Sequence, residues 1–497
     1  MANIQITNLT AGQIRALDSM LSGNNVFLTG EAGTGKSAVT EIFIEEAERS
    51  GKSVLVMAPT GTAADNLGGS TIHRCFKANI GIQKNNTNLS KRMGILRLAD
   101  IIIIDEISMC RFDLFDYVAR RILFENTKRI DDRRFAERRN AKFIQEDDKT
   151  YPVKPDDIQL IVIGDFYQLP PVISDNDKVE LDNYYKGFDY GDGYAFESKC
   201  WDLMSFDPVM LTEVVRQKDE TLMKVLRVVR HADQKNKYPC ISWLHNESSS
   251  CEMDGDDSIF LFGTKKKCKE RNDFEMEKLD TPEKHYFAEI DGEVRQDDKF
   301  SEDDLVLKTG CRVMLTINDQ DERFVNGSIG VVKRLGNDAI DILLSESEQL
   351  VTVGMFTKEI IKPIEREYET EERVEEQAVD EHGLLMTDKD GNPVMKMVTK
   401  KVTRTEISRE KVGSFTQLPV IVAYAITIHK SQGKTFSKIN LNPYAWDNGQ
   451  FYTALSRCKT IENVYFEAPI MPKYIKTSAN VKKFMRPIEK AASGSWL

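Results

Sequence analysis

GEAGTGKS, residues 30–37, follows the β-rich run VFLTG (26–30) and opens the helix-like stretch SAVTEIFIEEAERSG (37–51). The octet matches G-x-x-x-x-G-K-[ST] with a strand before it and a helix after it, the flanks that the pattern needs. Glycines there let successive backbone N–H groups curl around phosphates at a helix N-terminus. On this reading Lys36 holds the β/γ-phosphates and Ser37 ligates Mg²⁺. The fold must then be α/β, with a parallel sheet whose strand ends meet a nucleotide.

The surrounding chain agrees. From residue 26 to about 210, short β-rich runs (VFLTG, SVLVMAP, ADIIIID, IQLIVIGD and DPVMLTE) alternate with helical stretches, the signature of a parallel sheet wrapped by helices. Two insertions interrupt it. Leu67–Leu98 is polar and basic and has the length of a small lobe; Glu125–Asp157 is charge-dense and reads as partly helical or mobile. A second α/β region begins with SIFLFG (258–263) and resumes at LPVIVAYAI (418–426), KINLN (438–442) and NVYFEA (463–468). Between them, about 310–415 is β-like with Gly and Asn-Asp turns, which suits a small inserted barrel, and the acidic stretch 365–383 reads as a long hairpin or flexible arm.

With 497 residues the chain has room for roughly three domains. Asp and Glu outnumber Lys and Arg by 79 to 68, which excludes a uniformly basic coat for nucleic acid and leaves only a local groove. The eight cysteines are scattered with no zinc spacing and read as reduced thiols of a reducing compartment. The first Lys or Arg is Arg15, and the longest apolar runs, such as IIII at 101–104, are short strands. The expectation is a soluble, cytoplasmic protein without secretion signal or membrane span.

Five further stretches carry chemistry. ADIIIIDEIS (99–108) is a buried strand that delivers Asp105 and Glu106 beside the phosphates. Asp105 would orient the metal through water and Glu106 would activate the attacking water. Alone, the pair could equally cap the next helix; beside a phosphate loop the catalytic reading dominates, and it gives an NTPase rather than a kinase. GDFYQLPP (164–171) ends another strand on the same sheet edge. Gln168 can bond the γ-phosphate or the water, while Phe166 and Tyr167 offer faces for stacked bases, or else plug the core. In the second region, ITIHKSQGKTF (426–436) and FYTALSRCKT (451–460) bring Arg457, and LTEVVRQ (211–217) brings Arg216, as candidates for a transferring phosphate.

In order along nearly the whole chain, LTAGQIRAL, GEAGTGKS, APTGTAADNLGGSTIH, DEIS, GDFYQLPPV, LTEVVRQ, RFVNGSIGVV, ITIHKSQGKTF and YTALSR resemble the superfamily 1 DNA helicases of the 5′-to-3′ branch, specifically the Pif-type family, with RecD and Dda as close relatives. The resemblance implies two RecA-like P-loop domains with parallel sheets and ATP in the cleft. It also implies a small wedge lobe inserted in the first and an SH3-like β-barrel inserted in the second. Mapped here, these are 1–66 with 99–220, the strand-separating lobe 67–98, 221–320 with 416–497, and the insertion 321–415. Implied by position, Gln13 reads adenine; Gly33, Thr34, Gly35, Lys36, Ser37 and Gly433 line the nucleotide; Gln168 couples nucleotide to DNA; Arg216 and Arg457 sense the γ-phosphate. Thr60, Asn66, Thr71, His73, Phe166, Asn326 and His429 would lie near single-stranded DNA.

The activity so implied is an ATP- and Mg²⁺-dependent, DNA-stimulated motor, monomeric on single-stranded or forked DNA, in the settings of replication, recombination, repair or telomere maintenance. The rival readings are a conformational-switch ATPase and a motor on RNA. DNA affinity is expected to fall with salt despite the acidic total. The segments 125–157 and 365–383 depart from the family pattern and are the places expected to meet a protein partner, regulate or tune solubility.

Overall fold

The computed structural model of the chain describes residues 9–493 apart from 80, 85–88, 90, 147–148, 216–218, 254, 256, 320, 322, 379–385 and 387–393. Six parallel strands form the first sheet, in the spatial order Ser70–Thr71, Val54–Ala58, Ile101–Ile104, Gln159–Ile163, Val26–Gly30 and Asp207–Leu211. All residues of Val26–Gly30, Ile101–Ile104 and Gln159–Ile163 are buried, which is why these runs are continuously apolar rather than alternating. Their C-terminal ends converge on the phosphate loop, Asp105–Glu106 and Gly164–Asp165. A second parallel sheet orders Ala425–Thr427, Ser258–Phe262, Lys438–Leu441 and Val464–Phe466.

The antiparallel β region starts earlier than residue 321. Glu283–Phe287 pairs with Asp304–Lys308, and the strands Arg312–Leu315, Ile329–Leu335, Ala339–Leu344, Leu350–Gly354 and Val420–Val422 form an antiparallel sheet beside them. Tyr286, Leu305 and Leu307 share one core with Val313, Val332, Ile342 and Val420. Glu283–Phe287 buries only Tyr286 and Asp304–Lys308 only Leu305 and Leu307, so charged neighbours masked these strands in the sequence. The run LPVIVAYAI is likewise split, its first half forming an edge of the antiparallel sheet and its second half entering the parallel sheet.

The stretch 67–98 is less of an independent lobe than expected. Ser70–Thr71 extends the edge of the first sheet, and the short helices Ile72–Cys75 and Gly94–Leu98 bury Ile72, Cys75, Ile95 and Leu96 in the main core. The charged segment is mostly helical: Phe112–Arg139 runs unbroken for 28 residues, followed by the hairpin strands Phe143–Glu146 and Lys149–Pro152. Arg129, 2% exposed, stabilises it by donating to the Leu96 and Asp156 carbonyls at 2.7 and 3.1 Å.

The acidic arm is a hairpin of Phe356–Gln377 against Met395–Gln417, extending roughly 70 Å at the usual rise per strand residue. Residues 379–385 and 387–393 of its tip lie outside the described residues. The charged insert and the acidic arm meet each other, since Glu365 of the arm accepts from the Tyr151 hydroxyl and pairs with Lys149 at 3.4 Å. Arg74 and Asp298 form a buried bidentate pair, at 2.7 and 3.0 Å, that joins the first sheet region to the approach to the barrel.

The C-terminal segment also departs from its expected domain. Helix Ala479–Ala492 packs onto the first half, where Phe484 stacks on Phe196 at 4.3 Å and touches Phe27 and Phe166. No helix among the described residues is long and apolar enough to cross a membrane.

Candidate active site

The phosphate loop is shaped by its glycines and roofed by Gln13. Gly35 caps helix Lys36–Arg49 with φ 81°, a left-handed conformation that favours glycine, and a Cβ there would stand 2.3 Å from the Gln13 amide nitrogen. Gln13 reaches that position because Thr10 and Gln13 close a capping box at the start of helix Ala11–Leu21; its Nε2 then donates to the Thr34 carbonyl at 3.1 Å. Gly33 also has positive φ, Thr34 is 1% exposed, and Ser37 faces open space on the first turn.

Lys36 Nζ rests on the carbonyls of Gly30 and Glu31 at 2.9 and 3.2 Å. Burial lowers its pKa, opposed by the nearby carboxylates of Asp165, Glu106 and Asp105. Burial raises Asp105, and the adjacent Glu106 charge adds to this; the Asp105 Oδ1 accepts from the Glu106 N–H at 2.8 Å. Glu106 takes a left-handed backbone conformation (φ 50°, ψ 46°), rare for a side-chain-bearing residue and a feature that concentrates at functional sites. Burial raises its pKa too, while Lys36 from the first half and Arg457 from the second pull it down.

The second half touches this carboxylate directly, because Gln432 Nε2 donates to Glu106 Oε2 at 2.8 Å. Gly433, with φ 77°, makes the turn that follows. Arg457 is 2% exposed, donating to the Thr453 carbonyl at 2.9 Å, the Ser456 hydroxyl at 2.8 Å and the Lys434 carbonyl at 3.3 Å. Arg216 lies outside the described residues.

GDFYQLPP holds a different arrangement from the one its aromatics suggested. Phe166 is fully buried among Phe27, Tyr194, Phe196, Trp201 and Phe484, with centroids 4.9–5.9 Å away. No base can stack on it, and its expected place at the strand is corrected to a core plug. Tyr167 is 1% exposed, under the Arg230 guanidinium at 4.0 Å. Strand alternation could not reveal this, because Phe166 lies in the turn after the strand and faces a helix from the far C-terminus.

The acid at the start of this loop is the residue beside the site that sequence reasoning missed. Asp165 forms a fully buried pair with Arg230, Nη2 to Oδ1 at 2.8 Å and Nε to Oδ2 at 3.3 Å. Burial alone would raise Asp165, yet the Arg230 guanidinium holds it below the usual carboxylate range. Tyr452 of the second half enters the same cluster: its hydroxyl lies 3.5 Å from Asp165 Oδ2 and accepts from the Ala32 N–H of the phosphate loop at 3.3 Å. Arg230 sits in VVRHA near a helix end, where an arginine normally reads as a surface residue; only its tertiary partner distinguishes it. Gln168 is 7% exposed, with its N–H on the Asp165 carbonyl at 2.9 Å.

Gly449 locks this loop to the second half. A Cβ on it would stand 2.3 and 2.2 Å from the carbonyl oxygens of Tyr167 and Gln168, and its φ is 70°. Gly449→Ala is therefore expected to lower unfolding free energy by roughly 1–3 kcal/mol, read by denaturant titration, and to lose most of the stimulation of ATP turnover by oligonucleotide. An unaltered stimulation would mean that the two halves do not communicate through this contact.

The remaining candidates lie apart from the phosphate loop. Thr60 and Thr71 cap short helices, accepting from the Ala63 and Arg74 N–H groups at 3.3 Å. Thr71 and Arg74 line a cleft whose far wall is Lys358, Ile361 and Arg409 of the arm. His73 is half-buried beside them. Asn66 ends helix Gly61–Asn66, and its side chain lies outside the described residues. Asn326 accepts from Lys434, linking the barrel to the QGK turn. Burial lowers the pKa of His429, with Asp447 and Lys265 within electrostatic reach.

Residues 8–229 match the family model described as PIF1-like helicase. Over that span the chain is similar to the Pif1-like helicases. It is 26% identical to the ATP-dependent DNA helicase Pif1 of Campylobacter jejuni, over 89% of this chain and 88% of that one. To the ATP-dependent DNA helicase RRM3 of Saccharomyces cerevisiae it is 26% identical, over 97% of this chain and 68% of that one. The crystal structure of Bacteroides sp Pif1 in complex with ADP-AlF4 superposes with a TM-score of 0.71 at 25% identity, covering 97% of each chain. The Bacteroides Pif1 complex with ADP-AlF3 and ssDNA gives 0.61 at 26% identity, covering 97% of each. The family's phosphate loop, acidic pair and GDFYQLPP segment all fall inside the matched span, whereas Gln432, Gly449, Tyr452 and Arg457 lie beyond it.

Proposed function

We propose that the protein is an ATP-dependent DNA helicase that moves 5′-to-3′ along single-stranded DNA and unwinds the duplex ahead. One observation carries this reading: Glu106 is held from both halves at once, by Gln432 and Arg457 on one side and beside Lys36 on the other. A group so placed feels whether the halves are closed around a triphosphate. The roles follow from position. Backbone N–H groups of 33–37 receive the phosphates, Lys36 leaves its two carbonyls for the β/γ oxygens, Glu106 takes the proton of the attacking water, and Arg457 offsets the charge of the leaving phosphoryl. Gln13 meets adenine, and Arg216 is assigned to the γ-phosphate by sequence position.

Among the described residues no group of three or more His, Cys, Asp or Glu side chains could cage a metal. Ser37 and Asp105 would hold Mg²⁺ together with waters and phosphates, the sparse protein ligation usual for this ion. When bound it neutralises phosphate charge.

Work is transmitted by the loop that ends in Gln168. Departure of the γ-phosphate releases Glu106 and Gln168, and Gly449 passes the change to the second half. Thr60, Asn66, Thr71 and His73 on the first half, with Asn326 and His429 on the second, are the grips that alternate on the strand. The segment 67–98 is the proposed wedge. Domain assignments are then 9–211 with the C-terminal helix for the first half, the wedge 67–98 being inserted within it, about 283–422 for the barrel with its arm, and 212–282 with 423–478 for the second half.

Forked substrates with only a 5′ or only a 3′ tail test the reading. Unwinding of the 5′-tailed fork alone, with ATP, is expected. ATP turnover with no unwinding of either fork under single-turnover conditions would make the protein a switch, and equal stimulation by RNA would reassign the track. Gln168→Ala is expected to lower DNA-stimulated turnover by about 10²-fold, the low end for a positioned catalytic group; wild-type stimulation would remove the coupling role.

A further inference from the structure

The stretch NPYAWDNGQ, 442–450, joins strand Lys438–Leu441 to helix Gln450–Leu455. It leaves Tyr444 48% and Trp446 47% exposed, although nothing in the hydrolysis site needs either ring. The indole is nonetheless fixed. It lies so close over Gly263 that a Cβ there would stand 2.0 Å from the ring. Its backbone N–H donates to Gln450 Oε1 at 3.0 Å, and its carbonyl accepts from Lys476. A large flat side chain, immobilised on one side and open on the other, loses little entropy when another ring stacks on it.

Positive charge collects around it. Lys267 stands over the Tyr444 ring at 5.3 Å, and Lys265 and Lys430 are exposed nearby, with Lys265 within electrostatic reach of His429. Neighbouring lysines on the same helix are neutralised, Lys266 by Glu270 and Lys269 by Asp273. Among the described residues Lys265, Lys267 and Lys430 form no such ion pair. In a chain of net charge −11, unneutralised lysines beside exposed rings fit a ligand with both negative charge and flat faces.

We propose that Trp446, with Tyr444 beside it, is a stacking step for the bases of single-stranded DNA, with Lys265, Lys267 and Lys430 on its phosphates. A duplex cannot use such a step, since its base faces are already stacked. The step is built into the ATP machinery by chain connectivity. Three residues on, Gly449 abuts the Tyr167 and Gln168 carbonyls; Tyr452 follows at the phosphate loop, then Arg457. A base seated on Trp446 therefore bears on the segment that closes the site. This rests on the helicase reading above and adds to it where the second half feels its track.

The test is oligo-dT binding by the full chain, read by anisotropy of a labelled oligonucleotide and by tryptophan fluorescence. Trp446→Ala is expected to weaken binding roughly ten-fold, in line with the loss of one aromatic step, whereas Trp446→Phe keeps most of the affinity. Quenching of indole emission by oligo-dT is expected in the wild type and lost in Trp446→Phe. Replacing Lys265, Lys267 and Lys430 together by Ala is expected to reduce the slope of log affinity against log salt by about 2. Wild-type affinity in Trp446→Ala, or quenching that survives in Trp446→Phe, would overturn the step while leaving the helicase reading in place. Wild-type ATP turnover that oligo-dT does not stimulate would overturn the helicase reading and the step with it.

Discussion

Arg457→Ala is expected to lower DNA-stimulated ATP turnover by about 10³-fold or more, the range found for arginines that reach a transferring phosphoryl group from outside the phosphate loop. The side chain is 2% exposed and tied to the Thr453 and Lys434 carbonyls and the Ser456 hydroxyl, so its planar fork is set before nucleotide arrives. Truncation removes the charge and leaves buried acceptors unmatched, so part of the effect will appear as lower stability. Arg457→Lys separates the two contributions, because it keeps a cation but cannot reproduce the fork. The expected pattern is a fall in kcat for both, smaller for Lys, with KM for ATP changed far less. A raised KM with unchanged kcat would mean that Arg457 only helps to bind ATP and does not act on the transition state.

Glu106→Gln should lower hydrolysis by about 10²–10⁴-fold, the usual worth of a positioned general base, while ATP still binds. The substitution is nearly isosteric and keeps an oxygen for Gln432, now 2.8 Å away, so the contact between the halves survives. It removes the negative charge that Lys36 and Arg457 both face. The variant should therefore remain closed on ATP and hold single-stranded DNA without stepping. Equilibrium nucleotide binding and single-turnover hydrolysis measure the two parts separately. A loss of less than ten-fold would move the proton acceptor elsewhere, and Asp165 is not the substitute, since Arg230 fully occupies it.

Much of this site is written locally. A phosphate loop needs consecutive residues with particular backbone freedom, so 30–37 is legible as a string, and the acid pair at 105–106 is legible because a buried strand can end in only one direction. Arg457 was recoverable from its place in YTALSR. Other parts depend on residues distant in the chain. Phe166 looked available to bases because its neighbours are polar or turn-forming, yet Phe484, more than three hundred positions away, covers it. Asp165 and Arg230 each read as ordinary charges until folding puts them at 2.8 Å with no solvent around them.

By itself the amino-acid sequence determined the two parallel sheets, the phosphate loop, the acidic pair that ends the Ile101–Ile104 strand and the family resemblance, because strand burial and backbone conformation are set by short stretches. Tertiary structure alone decided that antiparallel pairing begins at Glu283, that the C-terminal helix returns to the first half, and that the charged insert and the arm meet at Tyr151 and Glu365. It also decided that Gln432 reaches Glu106 and that Gly449 seats the GDFYQLPP loop. The physical reason is common to all of these: each is a contact between surfaces made by separate segments, whose energy depends on shape and distance after folding, and no local pattern of residues encodes the distance between two segments.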